Sequence, residues 1–154
     1  IGLEFGIDPE NIQEKLKNYS SKNNRSEIIK IENKNVILDA YNANPSSVES
    51  AIKSLAKNKG SKALVLGDMF ELGESSDTEH KKMIDLAVKF NFDRCIFIGK
   101  EFFKVKQDSL KNIFFKTKED FYEFGDTITE ENILIKGSRG MQMEDILKNN
   151  MIWK

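Results

Sequence analysis

The feature that most constrains the fold is a recurring phrase: a short apolar run, bare of charge, that stops abruptly in a polar or glycine-containing turn. Val36-Ile37-Leu38 runs into Asp39, Ala63-Leu64-Val65-Leu66 into Gly67-Asp68, Cys95-Ile96-Phe97-Ile98 into Gly99-Lys100, and Ile133-Leu134-Ile135 into Lys136-Gly137. Runs of this length without polar alternation read as strands covered on both faces, the pattern of parallel sheets. Ile113-Phe114-Phe115 reads as a further strand. Ile28, Ile29 and Ile31, followed by the polar Glu32–Asn35 turn, read as the other half of a hairpin with Val36–Leu38.

The stretches between the runs carry helical spacing. A helix capped by Ser46 or Ser47 should run to about Lys59, with Val48, Ile52, Leu55 and Ala56 inward and Gly60 ending it. A second should span Thr78 to Phe90, with Met83, Ile84, Ala87 and Val88 inward. A short helix should follow Gly99, another should cover Lys118–Phe124, and a last one should run from Met143 to about Asn149, with Met151-Ile152-Trp153 as a closing strand. Strand and helix alternating at this rhythm predict an α/β, Rossmann-like fold, a mainly parallel sheet with helices on both faces. In such sheets ligands bind just beyond the carboxyl ends of the strands, so the turns that close the apolar runs are where chemistry is expected.

Residues 1–20 read differently. Asp8-Pro9-Glu10 opens a helix whose apolar face carries Ile12, Leu16 and Tyr19, and the polar Ser20–Arg25 stretch reads as a linker. Two units are therefore expected, residues 1–24 and residues 25–154. The chain starts in an apolar phrase without an initiator Met, which suggests a piece of a longer protein.

Composition excludes several function classes. With 24 Lys+Arg against 25 Asp+Glu, the formal charge is −1, which argues against a broad cationic face for nucleic acid. One cysteine, Cys95, and one histidine, His80, rule out an internal disulfide, a Cys-based zinc cluster and a His-rich metal centre within the chain. No apolar run approaches the roughly 18–20 residues that cross a membrane. A cytoplasmic monomer is the expectation.

Three turns could carry chemistry, each with a plain structural alternative. Asp39-Ala40-Tyr41-Asn42-Ala43-Asn44-Pro45 places a carboxylate and two amides between a strand and a helix, suited to ribose hydroxyls or a phosphate. It could equally be an Asx-rich turn with a helix cap. Gly67-Asp68-Met69-Phe70-Glu71-Leu72-Gly73 brings two acids into one loop, able to hold an ammonium group or a metal, or simply a solvated turn that needs glycine. Lys136-Gly137-Ser138-Arg139-Gly140 offers two cations and close backbone approach for a carboxylate or phosphate, or a solvated basic turn. The G-x-x-x-x-G-K-[ST] phosphate loop is absent. His80 is expected at the surface, Cys95 as a small core hydrophobe, Phe102-Phe103, Phe114-Phe115 and Phe121–Phe124 as core, and Lys104, Lys106 and Lys111 as a solvated face.

Taken together, Asp39-Ala40-Tyr41-Asn42-Ala43-Asn44-Pro45, Leu64-Val65-Leu66-Gly67-Asp68-Met69-Phe70-Glu71-Leu72-Gly73, His80 and Leu134-Ile135-Lys136-Gly137-Ser138-Arg139-Gly140-Met141 resemble the C-terminal domain of a Mur ligase over about residues 25–154. Residues 1–24 then resemble the tail of that family's central ATPase domain and its linker. The resemblance implies an ATP-dependent amide-forming reaction. The carboxylate of UDP-MurNAc-tripeptide becomes an acyl phosphate, and the amine of D-Ala-D-Ala attacks it. It implies nucleotide contacts from Arg25, Asp39, Asn42 and Asn44, and contacts to the dipeptide and acyl phosphate from Lys136, Ser138 and Arg139. The Asp68–Glu71 loop, with Asp68 and Glu71 its acids, would border that site. ATP and Mg would be held mainly by the family's central domain, which carries the phosphate loop, the metal-binding carboxylate and the modified lysine. No catalytic residue is assigned within these 154 residues, and the piece alone is expected to be inactive; its partner is the rest of its own chain. Another Mur ligase or folylpolyglutamate-type ligase domain, or a non-catalytic flavodoxin-like module holding a nucleotide or partner, are the alternatives.

Overall fold

The computed structural model describes residues 4–17, 23–107, 109 and 111–153. Six strands form one sheet: β1 (Glu27–Ile31), β2 (Lys34–Asp39), β3 (Lys62–Gly67), β4 (Arg94–Ile98), β5 (Asn112–Phe115) and β6 (Asn132–Lys136), in the order β1-β2-β6-β3-β4-β5. Only β1 runs antiparallel, as the outer arm of a hairpin with β2; every other pairing is parallel. Among the described residues the helices are α1 (Pro9–Lys17), α2 (Pro45–Ala56), α3 (Ser76–Phe90), α4 (Lys100–Lys104) and α5 (Lys118–Phe124), with short 3-10 turns at Gly73–Ser75, Arg139–Met141 and Met143–Lys148.

Because successive strand residues point to opposite faces, each uncharged run supplies both layers at once. On one face Leu64, Leu66, Cys95, Phe97 and Leu134 pack against Val48, Ile52, Leu55, Met83, Ile84, Ala87 and Phe102 from α2, α3 and α4. On the other, Val36, Leu38, Val65, Ile96, Ile133 and Ile135 pack against Phe121, Met143, Ile146, Ile152 and Trp153. The crossovers from β2 to β5 step in one direction across the sheet, and the return through α5 drops β6 between β2 and β3. After β3 the chain leaves toward α3 on one face, and after β6 toward the 3-10 turns on the other. A crevice opens at such a reversal. Its floor is tight: a Cβ on Gly137 would sit 3.1 Å from the Gly67 Cα and 2.7 Å from the Met143 Cγ. Glycine at both positions is what lets the two strand ends lie against each other.

The expected elements are present, with differences at their ends. Asn44, not Ser46 or Ser47, caps α2, because Pro45 already has the fixed φ of a first helical residue. The cap at the other end is Lys57, and Gly60 lies beyond it in a turn with φ +85°. α3 begins at Ser76 rather than Thr78, and Val88 is 52% exposed, on the outer side of the helix. The last helix is a 3-10 turn, and Met151-Ile152-Trp153 is a turn rather than a strand. Trp153 anchors it by donating its indole N–H to the Ile146 carbonyl. Phe102, Phe115 and Phe121 are core, but Phe124 is exposed. Cys95 is a core hydrophobe whose thiol burial pushes up to about 12. The side chain of Leu16, Tyr19 and the Ser20–Lys22 part of the linker lie outside the described residues.

Candidate functional site at the carboxyl rim

The register of β2 on β6 sets Asp39 beside Lys136. Lys136 is 1% exposed, and its ammonium donates to Asp39 Oδ2 at 2.6 Å and to the Asn42 carbonyl at 2.9 Å. Asp39 keeps part of its carboxylate open, 19% of the side chain, and its Oδ1 accepts from the Ser26 backbone N–H at 3.2 Å. The segment before β1 is tied to the same turn. The Tyr41 N–H donates to the Asn24 carbonyl, and the Arg25 guanidinium stacks on the Tyr41 ring at 3.7 Å from its centroid. Arg25, Asp39, Asn42 and Lys136 therefore share one corner of the rim.

Asn44 has a structural task. Its Oδ1 accepts from the Ser47 N–H and the Ser46 hydroxyl, each at 2.9 Å, and the Ser47 hydroxyl closes a capping box on the Asn44 N–H. For this residue the helix-cap alternative describes the geometry. Asn42 Oδ1 accepts from the Ala43 N–H, and its amide nitrogen is not engaged in any side-chain bond described for that turn.

The Asp68 carboxylate points inward. It accepts from the Glu101 N–H at 3.1 Å and the Phe102 N–H at 3.0 Å, at the start of α4. It fills the space a side chain at Gly99 would occupy; a Cβ there would lie 2.1 Å from the Asp68 Cγ, and Gly99 has φ +135°. Burial pushes the Asp68 carboxyl above its ordinary value, while the two N–H donors pull the other way. Asp68 thus borders the site through its backbone, its carbonyl accepting from the Ser138 N–H.

Ser138 joins the three turns. Its hydroxyl accepts from the Phe70 N–H at 2.8 Å and reaches the Ala43 carbonyl at 3.4 Å. Phe70 lies over Gly140, where an added Cβ would meet the ring at 2.7 Å. Glu71 is exposed, with φ +64°, and the Met69–Gly73 loop with Ser76 and Glu101 lines a depression of about 240 Å³. The Arg139 side chain is 58% exposed and pairs with Glu144. Among the described residues no group of three or more His, Cys, Asp or Glu side chains is placed to hold a metal.

A further expectation is overturned. His80 is not a surface residue: it is fully buried, its ring edge-to-face on Phe102 at 4.6 Å. It lies on the same buried face of α3 as Met83, Ile84 and Ala87. The signal was in the sequence, since His80, Met83, Ile84 and Ala87 follow the i, i+3, i+4, i+7 spacing of a core stripe. Tyr41 and Ser26 were also missed as site residues; nothing in their local spacing marks them.

Residues 24–139 match the family described as Mur ligase, glutamate ligase domain. The chain belongs to this family. UDP-N-acetylmuramoyl-tripeptide–D-alanyl-D-alanine ligase from Bacillus subtilis is 35% identical over 159 residues, covering 96% of this chain and 35% of the relative. Its Escherichia coli counterpart is 32% identical over 121 residues, covering 76% of this chain and 27% of the relative. A crystal structure of MurF from Acinetobacter baumannii superposes with TM-score 0.78 at 28% identity, over 97% of this chain and 34% of that one. A folylpolyglutamate synthase from Thermotoga maritima, at 18% identity and TM-score 0.53, shares the fold. This Mur ligase domain spans about a third of the length of the curated relatives it matches.

Proposed function

We propose that this chain is the C-terminal, nucleotide-closing and acceptor-binding domain of an ATP-dependent ligase that joins D-Ala-D-Ala to UDP-MurNAc-tripeptide in peptidoglycan precursor synthesis. The observation that carries the reading is the Asp39–Lys136 pair at the mouth of the crevice, with Ser138 lashing the acceptor-side loop to the same rim. A nearly buried ion pair is a poor way to add stability, so its position argues for a task.

In this reading the γ-phosphoryl group of ATP passes to the tripeptide carboxylate, giving an acyl phosphate and ADP. The dipeptide amine then attacks the acyl carbon, losing its proton as phosphate leaves. Catalysis of this kind is mainly positioning and charge neutralisation. Arg25 supplies a guanidinium for the phosphates, and the open edge of Asp39 an acceptor for ribose hydroxyls, with Asn42 beside it. Asn44 acts there only by shaping the turn. Lys136 orients Asp39, while Ser138 holds the loop that carries Glu71 to the acceptor side. Arg139, exposed at the same turn, is a cation for the dipeptide carboxylate. The adenine-bearing nucleotide and Mg are held mainly by residues outside this chain, and the setting is a cytoplasmic monomer.

The test is the full-length protein assayed for ADP release with ATP, UDP-MurNAc-tripeptide and D-Ala-D-Ala. Release should require all three. Arg25→Ala should lower kcat/KM by about tenfold or more with the melting temperature unmoved. Release sustained by glutamate in place of D-Ala-D-Ala would overturn the substrate assignment. The 154-residue piece alone should release no ADP above a denatured control.

A further inference from the structure

One buried titratable side chain is not absorbed by the ligation reading. His80 Nε2 accepts from the Met69 backbone N–H at 3.0 Å, and Nδ1 lies 2.8 Å from the Ser76 carbonyl. A backbone N–H can only donate and a carbonyl can only accept. The partners therefore assign the neutral ring with its proton on Nδ1. The charged groups facing it come from two other elements. Asp68 Oδ1, at the exit of β3, lies 3.8 Å from Nε2. Glu101, on α4, bonds the Ser76 hydroxyl, which sits 3.3 Å from Nδ1. On α3 itself Asp77 and Glu79 flank the buried stripe.

The contact matters because of what Met69 is part of. Three consecutive residues leaving β3 are fastened: the Asp68 carbonyl to the Ser138 N–H, the Met69 N–H to His80, and the Phe70 N–H to the Ser138 hydroxyl. Glu71, with its left-handed backbone, comes next. Two of the fastenings come from the turn after β6. His80 supplies the third, from the helical layer. A protonated ring would set N–H against N–H at Met69 and break it.

We propose that His80 is a positioning residue for the acceptor side of the site: its neutral imidazole fixes Met69, and with it Phe70 and Glu71, against the Ser138 turn. The kinetic consequence rests on the proposed ligation; the structural one does not. A position set by one backbone hydrogen bond corresponds to an effect of about fivefold to tenfold on whatever the loop binds.

The test has two arms. In the wild-type chain, imidazole nitrogen resonances should report the Nδ1–H tautomer, and a scalar coupling across the hydrogen bond should join the Met69 amide nitrogen to Nε2. The opposite tautomer, or the absence of that coupling, would overturn the proposal, and this arm needs no variant to fold. In the full-length protein, His80→Leu should raise the KM for D-Ala-D-Ala about tenfold with the KM for ATP within about twofold. His80→Gln, which restores an acceptor, should return most of it. Equal rises in both KM values, or no rescue by Gln, would overturn it. A protein with the expected imidazole signature but no D-Ala-D-Ala ligation counts against the proposed function, not against His80.

Discussion

Asp39 and Asp68 look alike in sequence, each the acid that ends an apolar strand, and the fold gives them opposite work. Asp39 faces a lysine on the neighbouring strand and keeps an edge toward solvent. Asp68 is turned into the protein, its oxygens spent on the first N–H groups of α4. The difference lies in the next strand over. β6 lies between the two strands, with Lys136 in register with Asp39 on β2 but with Leu66, two residues before Asp68, on β3, whose other neighbour β4 ends in Gly99 and a helix start. A strand-end acid becomes a site residue or a structural clamp according to its neighbour.

The sharpest way to break this contrast is at Gly99. Gly99→Ala places a Cβ on the Asp68 carboxylate and a side chain at φ +135°, so it should cost about 4 kcal/mol by urea denaturation, from strain plus lost N–H partners. Asp39→Ala should follow at about 3 kcal/mol, because it leaves the Lys136 ammonium almost wholly buried with one carbonyl partner. The double variant Asp39→Ala, Lys136→Met should recover most of that loss. Additive losses would show that the pair is not the unit described here. Asp68→Asn should cost about 2 kcal/mol, since one amide end cannot accept.

The pH dependence of Asp68 is smaller and has an unusual sign. Its folded-state pKa lies above the ordinary 3.8. Between those values the folded state binds more protons than the unfolded one, so its contribution to stability falls as pH rises through that window. Asp68→Asn should flatten this slope. Asp145, held low by Lys148 and then Lys118, has the reverse sign: its contribution is present above the ordinary value and lost as pH falls through the folded one. Least affected should be Arg139→Ala, whose exposed pair with Glu144 is worth at most about 0.5 kcal/mol in thermal melts.

The strands were legible because burial on both faces writes itself into consecutive residues, and α5 was legible to its ends because Thr117 caps it in a box with Asp120 and Gly125 closes it. Helix α2 was placed but its cap was not, since Asn44, Ser46 and Ser47 all have capping side chains and only φ and ψ decide. The convergence of the Asp39 and Lys136 turns followed from strand-end logic. That Lys136 would be buried against Asp39 did not, because it depends on β6 entering between β2 and β3, a choice made 97 residues away in the chain. His80 was legible in the stripe it shares with Met83, Ile84 and Ala87, and only its polar neighbours Glu79 and Lys81 suggested a surface position.

That late entry of β6 also governs how the molecule can be made. Until Asn132 emerges from a ribosome, the β1–β2 hairpin and the β3–β4–β5 trio have no strand to pair their inner edges. Those edges stay open until β6 is made, and a message cut short before that point would yield two sticky half-sheets in place of one protein.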